Sequence, residues 1–305
     1  MASGRVIGVD LGGTKLLAGT VDESLHVHHR AHRFARGSDT QQVLDTIVDA
    51  VREARDAAGG DIDAVGFGIP SLIDQERGVA VTTVHLPIRD LPFRDLMAER
   101  LGLPVFVDND ATAAMLAEWR FGAAVDCSDA ILLTIGTGIG GGMVVNGTLG
   151  RGAQGAAAEF GHMTIDVDGP LCPCGAHGCL EAFVSGTALA REARALGFDM
   201  TAAQVAELAH DGHAGARALV TEMGTRLGVG IANLVNAFNP QVVVVGGGVL
   251  ALGDLLLGPA REEVVRRALP PSRDLVRVVP TRFGAESGML GAAVLALDGV
   301  AASAA

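Results

Sequence analysis

Short apolar runs alternate along this chain with longer segments in which apolar residues recur every three or four positions. The runs at 6–10, 64–69 and 241–245 predict buried strands, and the last is almost pure valine, as expected for a strand covered on both faces. Segments 38–60 and 214–238 have the period of helices. Strands and helices that alternate in this way predict an α/β fold.

The remaining predicted elements follow from the same patterns. They are helices at 93–101, 110–121, 186–196, 201–210, 260–268 and 286–297, and strands at 16–21, 105–107, 131–135, 143–145 and 275–279. Ser38 and Gln41 form a predicted capping box at the start of the helix at 38–60, and Gly59–Gly60 are predicted to end it. The residues after Asp298 are predicted to form a loose tail.

A strand, a glycine turn and a second strand occur twice, at 6–21 and at 131–145. This repeat indicates two related lobes, each of which presents a main-chain loop to a ligand. A chain of 305 residues is long enough for two lobes around a cleft.

Charge and hydropathy exclude some classes of partner. The chain has 23 Lys and Arg against 35 Asp and Glu, a net charge of −12, which argues against nucleic-acid binding because phosphates are neutralised by basic clusters. The uncharged stretch 130–150 contains seven glycines, so we predict two strands and a turn there rather than a membrane span. No secretory signal precedes the first strand, and we expect a soluble, cytoplasmic protein without a membrane partner.

Two glycine turns are candidate phosphate-binding loops. In Asp10-Leu11-Gly12-Gly13-Thr14-Lys15, glycines would let main-chain N–H groups approach phosphate oxygens, and Asp10 could hold Mg²⁺ through water. Taken alone, this turn is more often an ordinary hairpin, and it lacks the spacing of a Walker loop. The second turn has five glycines within 136–142, which hairpin geometry alone hardly explains. Two such loops and an acid favour nucleotide binding.

A group of sulfur and imidazole side chains predicts a zinc site. Its members are His162, Cys172, Cys174 and Cys179. Three thiolates and one imidazole are an accepted tetrahedral donor set for structural zinc. Disulfides are the less favoured alternative, because cytosolic thiols stay reduced. His177 is a second choice for the imidazole ligand, and Cys127 is predicted to be a small buried side chain.

Two carboxylates, Glu159 and Glu181, flank the predicted zinc site. A rigid metal centre would hold them in place, and carboxylates are suited to read sugar hydroxyls. Ordinary surface charge is the alternative for both.

Val107-Asp108-Asn109-Asp110 stands between a predicted strand and a predicted helix. In open α/β sheets such strand ends face the ligand crevice, where a carboxylate can accept a proton from an attacking hydroxyl. Asp and Asn are also preferred helix N-caps, so this segment alone leaves capping and catalysis equally open.

Four motifs in order resemble those of the repressor–open reading frame–kinase (ROK) sugar kinases. They are Asp10–Lys15, similar to the opening phosphate motif; Val107–Asp110, similar to the Asn-Asp catalytic segment; Glu159–His162, similar to the Glu-x-Gly-His motif; and Cys172–Glu181, similar to the zinc and sugar segment. Each motif is weak alone, but the four in this order are highly specific, and the resemblance covers nearly the whole chain.

The resemblance implies an actin-like, hexokinase-type (ribonuclease H-like) fold of two lobes with a structural zinc site. The small lobe would comprise 1–120, completed by a C-terminal helix at about 287–305, and the large lobe, 121–286, would hold the zinc site and the nucleotide loops. Homodimers, or dimers of dimers, are the expected assembly. The implied cofactors are ATP, Mg²⁺ and Zn²⁺.

The resemblance also implies residue roles. Asp110 would be the general base toward the sugar 6-hydroxyl, and the sugar would be contacted by Asn109, Glu159, His162, Glu181 and Gly68. The nucleotide and its Mg²⁺ would be bound by Asp10, Gly12, Gly13, Thr14, Lys15, Thr137, Gly138, Gly247 and Gly248. Zinc would be held by His162, Cys172, Cys174 and Cys179, with the second ring nitrogen of His162 toward the sugar.

Three positions depart from the family pattern. Ala158 stands where Gly is common, Ser71 ends a motif that usually ends in Gly, and His85 precedes Leu-Pro where Asn is common. These departures do not affect the residues of the reaction, but they leave the identity of the sugar substrate undecided. Glucose is the first choice, with mannose, fructose or an N-acetylated amino sugar as alternatives, and the donor is ATP or polyphosphate.

Other functions of the family are less favoured. Repressors carry a helix-turn-helix ahead of the first motif, whereas here the motif begins at Asp10, and the acidic charge agrees with a kinase. A chaperone-like ATPase would need no sugar-binding carboxylates, and a non-catalytic sugar sensor is a further alternative.

Overall fold

The structure is a computed structural model that describes residues 4–12, 15–34, 39–59, 61–83 and 86–304. In chain order its elements are β1 (Arg5–Leu11), β2 (Lys15–Asp22), β3 (Val27–Phe34), α1 (Thr40–Ala57), β4 (Ala64–Ile69), β5 (Ser71–Asp74), β6 (Val79–Thr83), β7 (Arg89–Leu91), α2 (Phe93–Leu101), β8 (Val105–Asn109), α3 (Asp110–Phe121), β9 (Ala130–Ile135), β10 (Ile139–Val145), β11 (Thr148–Leu149), α4 (Gly186–Ala195), α5 (Ala202–His210), α6 (Ala214–Phe238), β12 (Val242–Gly246), α7 (Asp254–Arg267), α8 (Ser272–Leu275), β13 (Arg277–Pro280) and α9 (Ser287–Ala304). The predicted α/β class is confirmed.

The chain forms two compact units. The first comprises Met1–Gly122, Leu149–Ala157 and Glu286–Ala305, and the second comprises Ala123–Thr148 and Ala158–Ala285. Each has its own hydrophobic core. Residues 149–157, which the sequence analysis placed in the large lobe, cluster with the first unit instead.

The first unit is built on a five-stranded sheet in the order β3-β2-β1-β4-β8. Strand β1 is antiparallel to β2 and parallel to β4, and β8 extends the parallel part. A smaller antiparallel sheet, β5-β6-β7, accompanies it. The carboxyl ends of three parallel strands therefore lie along one edge of the main sheet.

Helix α9 packs against β1, β4 and α3 of the first unit. Contact with the sheet is close: a side chain at Gly66 would collide with the main-chain oxygen of Ala292, 1.8 Å away. By length and composition the segment Gly284–Ser303 could span a membrane, and half of its most apolar stretch is buried inside the structure. The predicted loose tail after Asp298 is wrong, because the helix continues to Ala304.

The second unit repeats the topology of the first. Its sheet has the order β11-β10-β9-β12-β13, with β9 antiparallel to β10 and parallel to β12, which is parallel to β13. Helices α4 to α7 cover this sheet with apolar side chains such as Leu227 and Leu256, both fully buried. The predicted repeat of strand, glycine turn and strand is confirmed.

Several predicted boundaries are wrong for identifiable reasons. Helix α1 is capped by Asp39, whose carboxylate accepts from the N–H of Gln42, and not by Ser38, which lies outside the described residues, as does Gly60. Glycines 140–142 belong to strand β10 rather than to a loop, because their main chain pairs with β9. The strand predicted at 275–279 begins at Arg277, after the short helix α8.

Candidate functional site

The ligand edge of the first sheet brings together predicted residues from three segments. Asp10 of β1 pairs with Gly68 of β4, and Ile69 of β4 pairs with Asn109 of β8. Asp110 follows as the first residue of α3. The strand ends therefore gather Asp10, Gly68, Asn109 and Asp110 at one edge of the sheet.

Capping and a chemical role are divided between two neighbouring residues. Asn109 is the N-cap of α3, and its Oδ1 accepts from the N–H groups of Ala111 (3.0 Å) and Thr112 (3.1 Å). Its Nδ2 donates to the main-chain oxygen of Ser71 at 3.3 Å. Asn109 therefore supplies the N-cap, and Asp110 adds one bond within the first turn, because its Oδ1 accepts from the N–H of Ala111 at 2.8 Å.

Asp10 lies in a setting that disfavours its charge. Burial, and then the nearby carboxylate of Asp110, raise the pKa of Asp10 to about 7. The start of α9 lies against its carboxylate, since a side chain at Gly288 would come within 2.6 Å of it. Two carboxylates close together at a strand edge are a suitable place for a cation.

The first glycine turn is described only in part. The N–H of Gly12 donates to the main-chain oxygen of Lys15 at 2.8 Å, which closes the hairpin, and the Lys15 side chain is exposed. Gly13 and Thr14, the centre of the predicted phosphate loop, lie outside the described residues, and so does His85.

Asp108 was not predicted as a site residue, yet it is the most heavily hydrogen-bonded carboxylate at this edge. Its Oδ2 accepts from Nε (2.8 Å) and Nη2 (2.7 Å) of Arg151. Its Oδ1 accepts from Nε2 of Gln75 and from the N–H of Asn109, both at 2.9 Å. Burial raises the pKa of Asp108, and the charge and hydrogen bonds of Arg151 oppose that shift.

The second unit gathers its glycine loops at the corresponding edge. Gly247 follows β12 with a φ of 88° and lies against the main-chain oxygen of Ile135, the last residue of β9. The turn after β9 is anchored by the start of α4: the N–H of Gly186 donates to the oxygen of Gly136, and the Thr187 hydroxyl to that of Thr137, both at 2.8 Å. The turn that holds Thr137 and Gly138 therefore begins next to Gly247.

The predicted zinc ligands form a compact cluster. The ligand atoms of His162, Cys172, Cys174 and Cys179 all lie within 4.8 Å of one another. Nδ1 of His162 is 3.6 Å from Sγ of Cys172, and the two remaining sulfurs are 3.7 Å apart. Sulfur ligands of a tetrahedral zinc ion lie about 3.8 Å from each other, so the cluster has the size that zinc requires.

The alternatives to this ligand set are not supported. All four cysteines are free thiols. Nδ1 of His177 hydrogen-bonds the main-chain oxygen of Gly169 at 3.0 Å, and His177 is outside the cluster. Cys127 is buried, as predicted.

Chemically, the cysteines suit a divalent cation. Burial raises the pKa of Cys179 to about 12 and also raises that of Cys172, whereas a main-chain hydrogen bond involving Ala176 lowers that of Cys174. Buried thiols of this kind ionise when a metal binds them.

The two flanking carboxylates contact the cluster and the glycine turn. Oε2 of Glu159 is 4.0 Å from Nε2 of His162, so the ring offers Nδ1 to the sulfurs and Nε2 to Glu159. Oε2 of Glu181 accepts from the N–H of Ile139 at 2.7 Å, and its Oε1 is 3.9 Å from Sγ of Cys172. Burial raises the pKa of Glu159, with His162 opposing and Glu181 adding to the shift.

Comparisons with known proteins agree on one family. The ROK family profile matches residues 6–299. The chain is 35% identical to the glucokinase of Streptomyces coelicolor over 314 residues, 97% of this chain and 98% of that protein. It is 32% identical to the xylose repressor of Caldicellulosiruptor bescii, over 87% of this chain and 71% of that protein. Among solved structures, a ROK family glucokinase from Streptomyces griseus in complex with glucose and AMPPNP has a TM-score of 0.88 and 36% identity, covering 97% and 100% of the two chains.

Proposed function

The chain belongs to the ROK family and is a sugar kinase, and from this premise we propose that it transfers the γ-phosphoryl group of ATP to the 6-hydroxyl of glucose. The observation that carries this proposal is the pair of carboxylates, Asp10 and Asp110, at the ligand edge of the first sheet. The similarity to glucokinases, one of them solved with glucose and an ATP analogue, supports the choice of substrate and donor.

Asp110 is the proposed general base. Its carboxylate stands at the start of α3, where Asn109 already satisfies the first N–H groups of the helix. Accepting the proton of the attacking hydroxyl makes that oxygen a better nucleophile toward the γ-phosphorus. The amide of Asn109 has one N–H directed to Ser71, which leaves its second N–H for a sugar hydroxyl.

The proposed contacts of the sugar are Glu159, His162 and Glu181, together with the main chain at Gly68. One oxygen of Glu181 is held by the N–H of Ile139, which fixes its orientation and leaves Oε1 for a hydroxyl. His162 would bind zinc through Nδ1 and face the sugar with Nε2, on the side where Glu159 lies. Each is an acceptor or donor suited to hydroxyl groups.

Main-chain amides are the proposed contacts of the nucleotide. The proposed phosphate contacts are Gly12, Gly13, Thr14 and Lys15 of the first glycine turn and Thr137 and Gly138 of the second, and Gly247 and Gly248 are the proposed contacts of the adenosine. Mg²⁺ would be held near Asp10, most of its ligands being water and phosphate oxygens. A divalent cation there would neutralise the charge that burial of Asp10 disfavours.

We propose Zn²⁺ as the occupant of the Cys/His cluster. The spacing of the donors and the burial of Cys172 and Cys179 support it. Such an ion would order the segment that carries Glu159 and Glu181 and take no part in phosphoryl transfer. Reduced cysteines also support a cytoplasmic location. Homodimers or dimers of dimers stay a prediction, which light scattering would test.

The similarity to xylose repressors supports a second candidate, a sugar-responsive protein of the same fold. Such a protein would bind a sugar without turnover. Mannose, fructose or an N-acetylated amino sugar as substrate, and polyphosphate as donor, are the remaining variants of the kinase proposal.

The testing experiment is a coupled ADP-release assay of the zinc-replete protein with Mg-ATP and a panel of hexoses, with the products identified by mass. We expect glucose to be strongly preferred and a hexose 6-phosphate to accumulate. A different preferred hexose would correct the substrate. Sugar binding in calorimetry without turnover, with either ATP or polyphosphate, would favour the sugar-responsive alternative.

A further inference from the structure

Asp108, a buried carboxylate of the first unit, is not one of the proposed catalytic or binding residues. The Asp108 side chain is 4% exposed, and it is flanked in sequence by the segment that supplies Asn109 and Asp110. Its two oxygens accept four hydrogen bonds, from Arg151 twice, Gln75 and the N–H of Asn109. A buried carboxylate that fills all its acceptor positions is fixed in place and holds its partners in place.

The hydrogen bond from the main chain of Asn109 is the contact that matters for the reaction. That N–H belongs to the residue whose side chain caps α3, and the cap in turn sets the first turn of the helix, where Asp110 lies. Asp108 can accept this bond strongly only while it is ionised, and burial opposes ionisation. Arg151 supplies the compensating charge, with two nitrogens on the same oxygen.

Arg151 also begins a loop that is anchored to the first unit at a second point. The main-chain oxygen of Arg151 accepts from the N–H of Ala157 at 3.1 Å, which closes the loop on itself. Gly155 within the loop lies against the main-chain oxygen of Ile73 in β5, where a side chain would come within 2.1 Å. The ion pair therefore joins a rigid loop to the end of β8.

We propose that Asp108 and Arg151 are positioning residues for phosphoryl transfer: Arg151 holds the Asp108 carboxylate with two hydrogen bonds, and Asp108 holds Asn109 so that Asp110 is correctly placed. This inference rests on the proposed role of Asp110 as general base. It adds Arg151, which is distant in sequence, to the residues that position the segment Asp108–Asp110.

The main test compares Arg151→Met with Arg151→Lys and with Arg100→Met. Arg100 is a matched control, because it pairs with Asp45 in the same unit, at 3.0 Å, away from the ligand edge. We expect Arg151→Met to lower kcat by about 10- to 100-fold, because small misplacements of a catalytic group have effects of this size. The KM for ATP should change less than about twofold, since the loss concerns positioning rather than nucleotide affinity. Lys, which retains the charge, should restore part of kcat, and Arg100→Met should leave it unchanged.

A second measurement does not depend on activity. The N–H groups of Ala111 and Thr112 donate to the Asn109 side chain, so their hydrogen exchange reports whether the cap is held. We expect exchange about tenfold faster in Arg151→Met than in the wild type and unchanged exchange in Arg100→Met. If the wild type shows no sugar-dependent turnover, the proposed function fails, but this measurement still tests the positioning.

The double variant Asp108→Asn/Arg151→Met separates positioning from stability. It removes the unpaired buried charge that Arg151→Met leaves, so its Tm should recover toward the wild-type value. We expect kcat to stay low. A kcat that recovers together with Tm would show that the pair contributes only stability and would overturn the inference, as would unchanged kcat and unchanged exchange in Arg151→Met.

Discussion

In the first unit two of the parallel strands, β1 and β8, carry carboxylates at their carboxyl ends, whereas in the second unit β9 and β12 lead into glycines. Asp10 is the last residue but one of β1, and Asp108 and Asp110 stand where β8 meets α3. After β9 and β12 the chain offers Thr137–Gly138 and Gly247–Gly248. The two sheets have the same strand order and the same parallel and antiparallel pairs. The shared topology provides an edge for ligands, and the residues at each edge decide the chemistry.

The devices that hold the two edges in place also differ. The first unit uses a buried ion pair, Asp108 with Arg151, and a helix cap. The second unit uses a Cys/His cluster, and beside it Glu181 accepts a hydrogen bond from the N–H of Ile139. An ion pair and a helix cap are built from the folded chain alone, whereas a metal centre needs its ion. Removal of metal should therefore affect the second unit selectively.

The largest expected effect is that of zinc loss. Structural zinc contributes on the order of 10 kcal/mol to folding in small domains, so chelation, or Cys174→Ala, should lower Tm strongly and abolish activity. About one zinc per chain should be found in the wild type, as for a four-ligand site. Hydrogen exchange should increase first in residues 159–181 of the second unit.

Cys127→Ala is the matched control for the zinc prediction, since Cys127 is buried in the same unit but outside the cluster. Its zinc content should be unchanged. A metal-free protein with full activity, or unaltered melting of Cys174→Ala, would refute the zinc site.

Asp110→Asn tests the acidic chemistry of the first unit. We expect kcat to fall by about 10²- to 10⁴-fold, the usual contribution of a general base, while the Kd for glucose measured by calorimetry stays nearly constant. Asp95→Asn is the control, because Asp95 also occupies the first turn of a helix in this unit. Preserved turnover in Asp110→Asn would eliminate Asp110 as the base.

The pH dependence of the free energy of unfolding should reveal the buried carboxylate of Asp10 at the ligand edge of the first unit. Folding raises the pKa of Asp10 from 3.8 to about 7, so the folded chain keeps a proton that the unfolded chain releases. This stabilisation is complete below about pH 4 and is lost as the pH rises through 7. Asp10→Asn should therefore gain on the order of 4 kcal/mol over the wild type between pH 4 and pH 8, measured by urea unfolding, since each pKa unit corresponds to about 1.4 kcal/mol.

Asp22 provides a control of opposite sign in the same unit. Hydrogen bonds, the largest from Ser24, hold the pKa of Asp22 well below its usual range. Its stabilisation is present above the unfolded pKa and is lost as the pH falls, so Asp22→Asn should be less stable than the wild type at pH 7 and equal to it in strong acid. Parallel pH profiles for the wild type and Asp10→Asn would contradict the raised pKa.

The sequence could predict those features whose residues lie close together along the chain. Asn109–Asp110 and the Cys/His cluster are short motifs whose spacing carries their geometry, and the structure brings each set together. Strand β3 was missed because five of its eight side chains are polar, so apolar and polar residues do not alternate along it; the five are His28, His29, Arg30, His32 and Arg33. The bond from Arg151 to Asp108 spans 43 residues, and no local pattern indicates such a partner.

The smallest effect concerns Ala158, which precedes Glu159 in the second unit. Ala158 has a φ of 67°, in the left-handed region that favours glycine, which costs an alanine about 1–2 kcal/mol. Its methyl group is buried, and loss of that burial costs about 0.8 kcal/mol. Glycine also adds chain entropy to the unfolded state, which costs about 0.4–1 kcal/mol. These terms nearly cancel, so Ala158→Gly should shift Tm by no more than about 2 °C and should melt above Ala157→Gly.

The neighbouring Ala157→Gly is the control for this prediction, because Ala157 does not have a positive φ. Glycine there gives no relief of strain and adds chain entropy to the unfolded state, so it should lower Tm. If Ala158→Gly lowered Tm as much as Ala157→Gly does, the cost of the left-handed backbone at Ala158 would be smaller than the burial of its methyl group. The same variant also tests whether the two units are independent. Ala158 lies in the second unit, so Ala158→Gly should leave unchanged the pH dependence of stability that arises from Asp10 in the first unit.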